Sequence, residues 1–148
     1  MVKPFKYTWQ MLDEDVKTFL TQVDFTYYDK IIAVAKGAFP LLTKLINATN
    51  LPYDIVRCVS YNNTEQLEEL HTYFANLASW SKKGKTLIID DVADTGRTLK
   101  TLTDKILKNQ DGGTVECLTL CYKPQSIVLP HLYIHEVPND VWVEFPWE

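Results

Sequence analysis

The sequence predicts an α/β fold: a single domain on a mostly parallel, twisted sheet flanked by helices. Three observations carry this expectation. Short apolar, β-branched runs alternate with segments whose apolar residues recur at helical spacing. Two of those runs end in small-residue turns that lead into helices, at Lys36-Gly37 and at residues 94–98. The chain of 148 residues also shows no internal repeat, low-complexity tract or interdomain linker, which leaves one domain able to bury one good core.

The elements follow in order. Trp9, Leu12, Val16, Phe19, Leu20 and Val23 fall on one helical face, and Thr8 is placed to cap its start. Residues 30–35 (KIIAVA) form an apolar run that stops at Lys36-Gly37, and Leu41, Leu42, Leu45 and Ile46 then repeat at helical spacing. Residues 54–60 (DIVRCVS) make another β-branched strand, and 87–91 (LIIDD) the next. Leu99, Leu102, Ile106 and Leu107 mark the helix after it, and residues 114–122, 132–136 and 141–144 read as further strands. Residues 62–84 break the rhythm. Leu67, Leu70, Phe74 and Leu77 keep helical spacing there, with Glu68 and Glu69 opposite, so a short helix with mobile ends is expected. A long active-site loop is the alternative.

Apolar content of 46% and aromatic content of 12% mark a globular chain. A formal net charge of −4 implies no basic face, so neither nucleic acid nor an acidic membrane surface is an expected partner. No apolar run approaches the length of a membrane span, and the first ten residues lack a signal peptide's apolar core. A cytoplasmic protein is expected. Three cysteines, an odd number, point to reduced thiols rather than a disulfide framework.

Chemistry concentrates in residues 87–98, LIIDDVADTGRT. Asp90 and Asp91 sit where the buried strand is expected to end, and Asp94, Thr95, Gly96, Arg97 and Thr98 turn the chain into a helix. Unpaired N–H groups of such a turn, together with the helix N-terminus, attract an anion. Two acids beside that cradle repel the anion unless they hold sugar hydroxyls or a metal cation. A ribose phosphate carried with Mg²⁺ satisfies both halves.

This string closely resembles the 5-phosphoribosyl-1-pyrophosphate (PRPP) motif of type I phosphoribosyltransferases. The resemblance implies that Asp90 and Asp91 serve the ribose hydroxyls and, directly or through water, Mg²⁺, while Asp94, Thr95, Gly96, Arg97 and Thr98 wrap the 5′-phosphate. It extends from about residue 30 to the end of the sequence and is nearest the 6-oxopurine branch, the xanthine-guanine enzymes in particular. Lys36-Gly37 stands at the place of the family's pyrophosphate loop, with Lys for Arg and Ala38 for the second Gly of the SRGG form. Ser60-Tyr61 resembles the dipeptide that opens the mobile loop. Lys123, before Pro124, matches the lysine that donates to the purine 6-oxo group, and Asp94 the general base facing purine N7. The tail VPNDVWVEFPWE is similar to that of the xanthine-guanine enzymes, with Trp142 stacking on the purine and Val143 presenting backbone groups to its 2-position. The resemblance thus implies a single domain over residues 1–148, with a small base-binding hood at about 122–148. It further implies PRPP and a purine base as substrates, purine salvage as the role, and a homodimer or homotetramer. Trp147 is expected to serve packing or an interface.

Two rivals stand beside this reading: a nucleotide- or PRPP-sensing regulatory protein on the same fold, and a transferase for another nucleobase. Asp94, Lys123 and Trp142 together favour the 6-oxopurine enzyme. Cys117, Cys121, His131 and His135 imitate a zinc-finger spacing, but residues four apart on a strand lie about 13 Å apart, too far for one ion. Buried thiols and surface histidines are expected instead.

Overall fold

The computed structural model describes residues 2–60, 70–74, 84–110 and 112–148, by backbone alone at 59–60 and 70–74. Among these residues lie eight strands and three α-helices: β1 (Phe5–Lys6), α1 (Trp9–Gln22), β2 (Lys30–Ala35), α2 (Phe39–Thr49), β3 (Tyr53–Ser60), β4 (Leu70–Phe74), β5 (Lys85–Ala93), α3 (Arg97–Asn109), β6 (Thr114–Tyr122), β7 (Leu132–Glu136) and β8 (Val143–Glu144). Six strands form one sheet in the order β4-β3-β2-β5-β6-β7, and β1 and β8 form a separate parallel pair. Every pairing in the large sheet is parallel except β3 with β4. The sequence runs 30–35, 114–122 and 132–136 coincide with β2, β6 and β7.

The central strands read as continuous apolar runs because both their faces are covered. Ile31 and Ala33 meet Leu12, Val16 and Phe19 of α1 and Leu41 and Leu45 of α2 on one face. Ile32 and Val34 meet Leu99, Leu102 and Ile106 of α3 on the other. This two-residue alternation is what a strand between two helical layers requires. The α3 face is narrower than its spacing suggests, for Leu107 lies exposed. Trp9 and Leu20 likewise sit at the outer edge of the α1 face.

Three differences from the sequence expectation stand out. Residues 70–74 are not helical: they form β4, antiparallel to β3 with Cys58 opposite Thr72. The segment LHTYF satisfies a two-residue period (Leu70, Thr72, Phe74) as well as a helical one, and pairing along β3 decides between them. The expected helix elsewhere in 62–84 falls largely outside the described residues. Second, β5 begins two residues earlier and runs two residues past Asp91, since β6 continues to pair with it as far as Ala93 opposite Tyr122. Third, only Val143 and Glu144 of 141–144 form a strand, and their partner is β1 rather than the main sheet. No described helix is long and apolar enough to cross a membrane.

Thr8 caps α1 as its position predicts, its Oγ1 accepting the Met11 N–H at 3.1 Å. Thr8→Ala leaves that donor to water and should cost about 1 kcal/mol. Urea denaturation checks it, with a lower midpoint and an unchanged slope as the expected result.

Candidate active site

The sheet reverses its winding between β2 and β5, and ligands of such sheets bind beyond the carboxyl ends of the strands at that switch point. Three connections meet there: the turn after β2, the turn after β5 and the loop after β6. The first contains a cis peptide bond between Ala35 and Lys36. Gly37 follows, and only hydrogen fits at its α-carbon, because a Cβ would stand 2.4 Å from Asp91 Oδ2. A cavity of about 740 Å³ opens beside it, lined by Lys36, Gly37, Phe39, Pro40, Cys58, Asp90, Asp91, Thr98 and Trp147 among others.

The acid pair lines this cavity. Asp91 is buried, Asp90 half-buried, and the Asp91 N–H donates to Asp90 Oδ1 at 2.8 Å. Burial raises the Asp90 carboxyl well above the ordinary carboxylate range, and the neighbouring Asp91 charge adds to the shift. Burial also raises Asp91, against hydrogen bonds that favour its ionised form, one of them from the Trp147 indole. Burial pushes the Cys58 and Cys117 thiols up to about 11, with the Asp90 charge contributing in both. These cysteines remain protonated and act as small apolar groups.

The residues fit Mg²⁺ when it arrives with a ligand. Two adjacent carboxylates are hard oxygen donors that repel each other until a cation is present, and Mg²⁺ takes one or two carboxylates when phosphates and water complete its shell. Among the described residues no group of three or more His, Cys, Asp or Glu side chains could hold a metal on its own. In the zinc-like quartet, Cys117 and Cys121 are buried, and His131 is exposed, its Nδ1 accepting the Cys117 N–H at 3.0 Å. His135 departs from the expectation of a surface residue. It is half-buried, with Nε2 2.8 Å from Asp15 Oδ2, because the rings of Phe5 and Tyr7 pack against it.

After β5 the chain turns through Asp94, Thr95 and Gly96 into α3. Gly96 has φ +80°, and a Cβ there would lie 2.4 Å from Ser126 Oγ and 2.8 Å from the Val128 nitrogen. Both the dihedral and the close approach demand glycine. Gly96 is also the N-cap and offers no side-chain acceptor; the Arg97 N–H turns back to Thr95 Oγ1 at 3.4 Å, and the start of α3 suits an anion. A small hollow of about 100 Å³ lies over this turn, bordered by Asp90, Asp94, Thr95, Gly96, Arg97 and Thr98. The loop after β6 braces it, with Ile127 N–H donating to Thr95 O at 2.9 Å.

That same loop reaches Asp94. Lys123 Nζ is 3.1 Å from Asp94 Oδ2, with the lysine side chain 5% exposed and the aspartate 37%. Gln125 Nε2 donates to the other oxygen, and the Gln125 N–H donates to Asn139 Oδ1 at 2.8 Å. Trp142 is 64% exposed, so it is not core, and it lines neither cavity. The Val143 side chain is buried in the core. The Trp142 carbonyl accepts from Phe5 of β1 at 2.8 Å and the Glu144 carbonyl from Tyr7 just beyond it at 2.9 Å, so the Val143 peptide groups turn away from β1. Ser60 ends β3, and Tyr61 lies outside the described residues.

The structure thus brings Lys36, Gly37, Asp90, Asp91 and Thr98 around one cavity and pairs Lys123 with Asp94. Sequence reasoning missed Gln125 and Trp147. Gln125 could have been suspected from its place two residues after Lys123; nothing in sequence points from Trp147 to Asp91.

The raised carboxyl of Asp90 has a consequence for stability. A folded-state pKa above the unfolded value means that the native state binds the extra proton, so the ionised carboxylate costs stability at neutral pH. The cost disappears as pH falls through the raised pKa toward about 4, the unfolded value. Asp90→Asn should therefore melt higher than the unsubstituted protein at pH 8, and the difference should shrink to nothing near pH 4. Melting curves across that range check the sign.

Comparison with known proteins places the chain in a family. The chain is similar to xanthine-guanine phosphoribosyltransferase of Idiomarina loihiensis, 28% identical over 150 residues that span 99% of this chain and 88% of the relative. It is 29% identical over 147 residues to the protein of that name from Nitratidesulfovibrio vulgaris, spanning 99% of this chain and 85% of the relative. In fold it is similar to the purine phosphoribosyltransferase from Pyrococcus horikoshii (TM-score 0.80, 24% identity, 100% of this chain and 95% of the other). The fold likeness to the Helicobacter pylori xanthine-guanine-hypoxanthine phosphoribosyltransferase is equal (TM-score 0.80, 18% identity, 99% of this chain and 94% of the other). The family described as the phosphoribosyl transferase domain matches residues 8–148, nearly the whole length, and the chain belongs to that family.

Proposed function

We infer that the protein transfers the 5-phosphoribosyl group of PRPP to N9 of a 6-oxopurine (guanine, xanthine or hypoxanthine) with release of pyrophosphate. The observation that carries this reading is the 3.1 Å contact between Lys123 and Asp94. These side chains come from different loops, 29 residues apart, and meet beside the turn that leads into α3. A cation and a carboxylate held together there suit the edge of a base that accepts at O6 and donates at N7.

The 5′-phosphate is held by the amides of Thr95, Gly96, Arg97 and Thr98 at the uncapped start of α3. Lys36 and Gly37 border the larger cavity, where backbone approach and one cation suit the pyrophosphate. Asp90 and Asp91 receive the ribose hydroxyls and would hold Mg²⁺, which when bound neutralises the departing pyrophosphate. As the C1–O bond to pyrophosphate breaks, the sugar carbon gains oxocarbenium character, and purine N9 attacks from the opposite face to form the N-glycosidic bond. Asp94 accepts the base proton, Lys123 stabilises the 6-oxo group, and Gln125 keeps the carboxylate oriented. Trp142 offers its exposed ring for stacking, and Val143 offers peptide groups to the 2-position. The readings of Ser60-Tyr61 as the opening of a mobile loop and of 122–148 as the base-binding hood rest on the sequence resemblance. Cytoplasmic purine salvage and a homodimer or homotetramer complete the reading and rest on family membership.

The direct test is pyrophosphate release from PRPP and Mg²⁺ with guanine, xanthine, hypoxanthine, adenine and uracil supplied separately. Turnover confined to 6-oxopurines supports the assignment. PRPP binding without turnover on any base points to a regulatory protein. Asp94→Asn should lower kcat by about a hundredfold or more with PRPP affinity little changed, and a near-normal kcat removes the base role. Trp142→Ala should raise the purine KM by about tenfold or more, and an unchanged KM discards stacking.

A further inference from the structure

The last described aromatic residue reaches the acid pair from across the fold. Trp147 Nε1–H donates to Asp91 Oδ2 at 3.4 Å, bridging 56 residues of sequence. On its other side that oxygen faces Gly37, whose hydrogen-only α-carbon leaves no room for a Cβ. The carboxylate is therefore confined between the pyrophosphate-side turn and the indole.

The indole is itself held in place. It stacks on Phe145 with centroids 4.9 Å apart and planes inclined by 20°, and meets Tyr7 edge-on at 5.6 Å and Trp9 at 5.4 Å. Tyr7 and Phe145 are buried in the core, and each lies one residue beyond a strand of the β1–β8 pair. This small side sheet carries a hydrogen-bond donor to the carboxyl end of β5. Trp147 also lines the large cavity that contains Lys36, Asp90 and Asp91.

We propose that Trp147 is a positioning residue for PRPP binding: its indole N–H fixes the Asp91 carboxylate toward the cavity, and it has no part in purine recognition. The inference rests on the function proposed above and adds a residue to its PRPP site. The hydrogen bond acts on the orientation of one carboxylate, and its loss affects only ligands that use that carboxylate.

The test compares calorimetric binding of PRPP in the presence of MgCl₂ to the unsubstituted protein and to Trp147→Phe, alongside the purine KM and the melting temperature. The expected result is a PRPP affinity about tenfold weaker with a purine KM within about twofold of the original. Unchanged PRPP affinity overturns the proposal. So does a fall in melting temperature in which PRPP affinity and purine KM worsen together, the mark of a purely structural residue. If Trp147→Phe does not fold, benzothienylalanine at position 147 retains the ring shape and replaces only the N–H with sulfur. The same selective loss of PRPP affinity is then expected, and normal affinity overturns the proposal. Failure of the unsubstituted protein to bind PRPP overturns the underlying function and this inference with it, whereas tight binding equal in both proteins overturns this inference alone.

Discussion

Asp90 and Asp91 put two like charges side by side at the carboxyl end of the central strand, where burial disfavours ionisation of both. A chain selected for stability alone has no reason to keep them. Their surroundings show how the repulsion is contained. The peptide N–H of Asp91 satisfies Asp90, the Trp147 indole satisfies Asp91, and protonated thiols at Cys58 and Cys117 add no further charge. Gly37 is hydrogen-only because the carboxylate occupies the space a side chain would fill. The pair is a destabilising feature, the exchange of stability for function expected at a binding site, and under the proposed function a cation and a polyhydroxyl ligand would relieve it.

Asp94 has the opposite electrostatics three residues later. Lys123 and Gln125 each take one of its oxygens, so its carboxylate is paired and oriented. One short stretch of chain therefore carries a repelling pair suited to a metal-bearing sugar and a neutralised acid suited to a base. The separation is built by the loop after β6, which braces the turn at Thr95 and reaches Asp94 with neighbouring residues.

The scaffold behind these groups is rigid for an ordinary reason. Helices α1 and α2 cover one face of β2 and β5, α3 covers the other, and the strand residues alternate between two cores. Side chains at the ends of such strands inherit fixed positions, which a site built on free loops does not provide. The β1–β8 pair extends this support to the aromatic cluster of Tyr7, Phe145 and Trp147.

The sequence by itself determined what local periodicity and turn chemistry determine. The buried runs of β2 and β6, the Thr8 cap and the small-residue turn through Gly96 into α3 were legible because each follows from neighbouring residues and backbone stereochemistry. Where two local periods coexist, as in LHTYF, the sequence could not choose, and pairing with β3 settled 70–74 as a strand. Tertiary structure alone decided the partners of the acids: Trp147 for Asp91 across 56 residues, Gln125 for Asp94 across 31, and Asp15 for His135 across 120. Hydrogen bonds of that kind depend on where the sheet order brings distant loops, and no spacing along the chain encodes a distance through space.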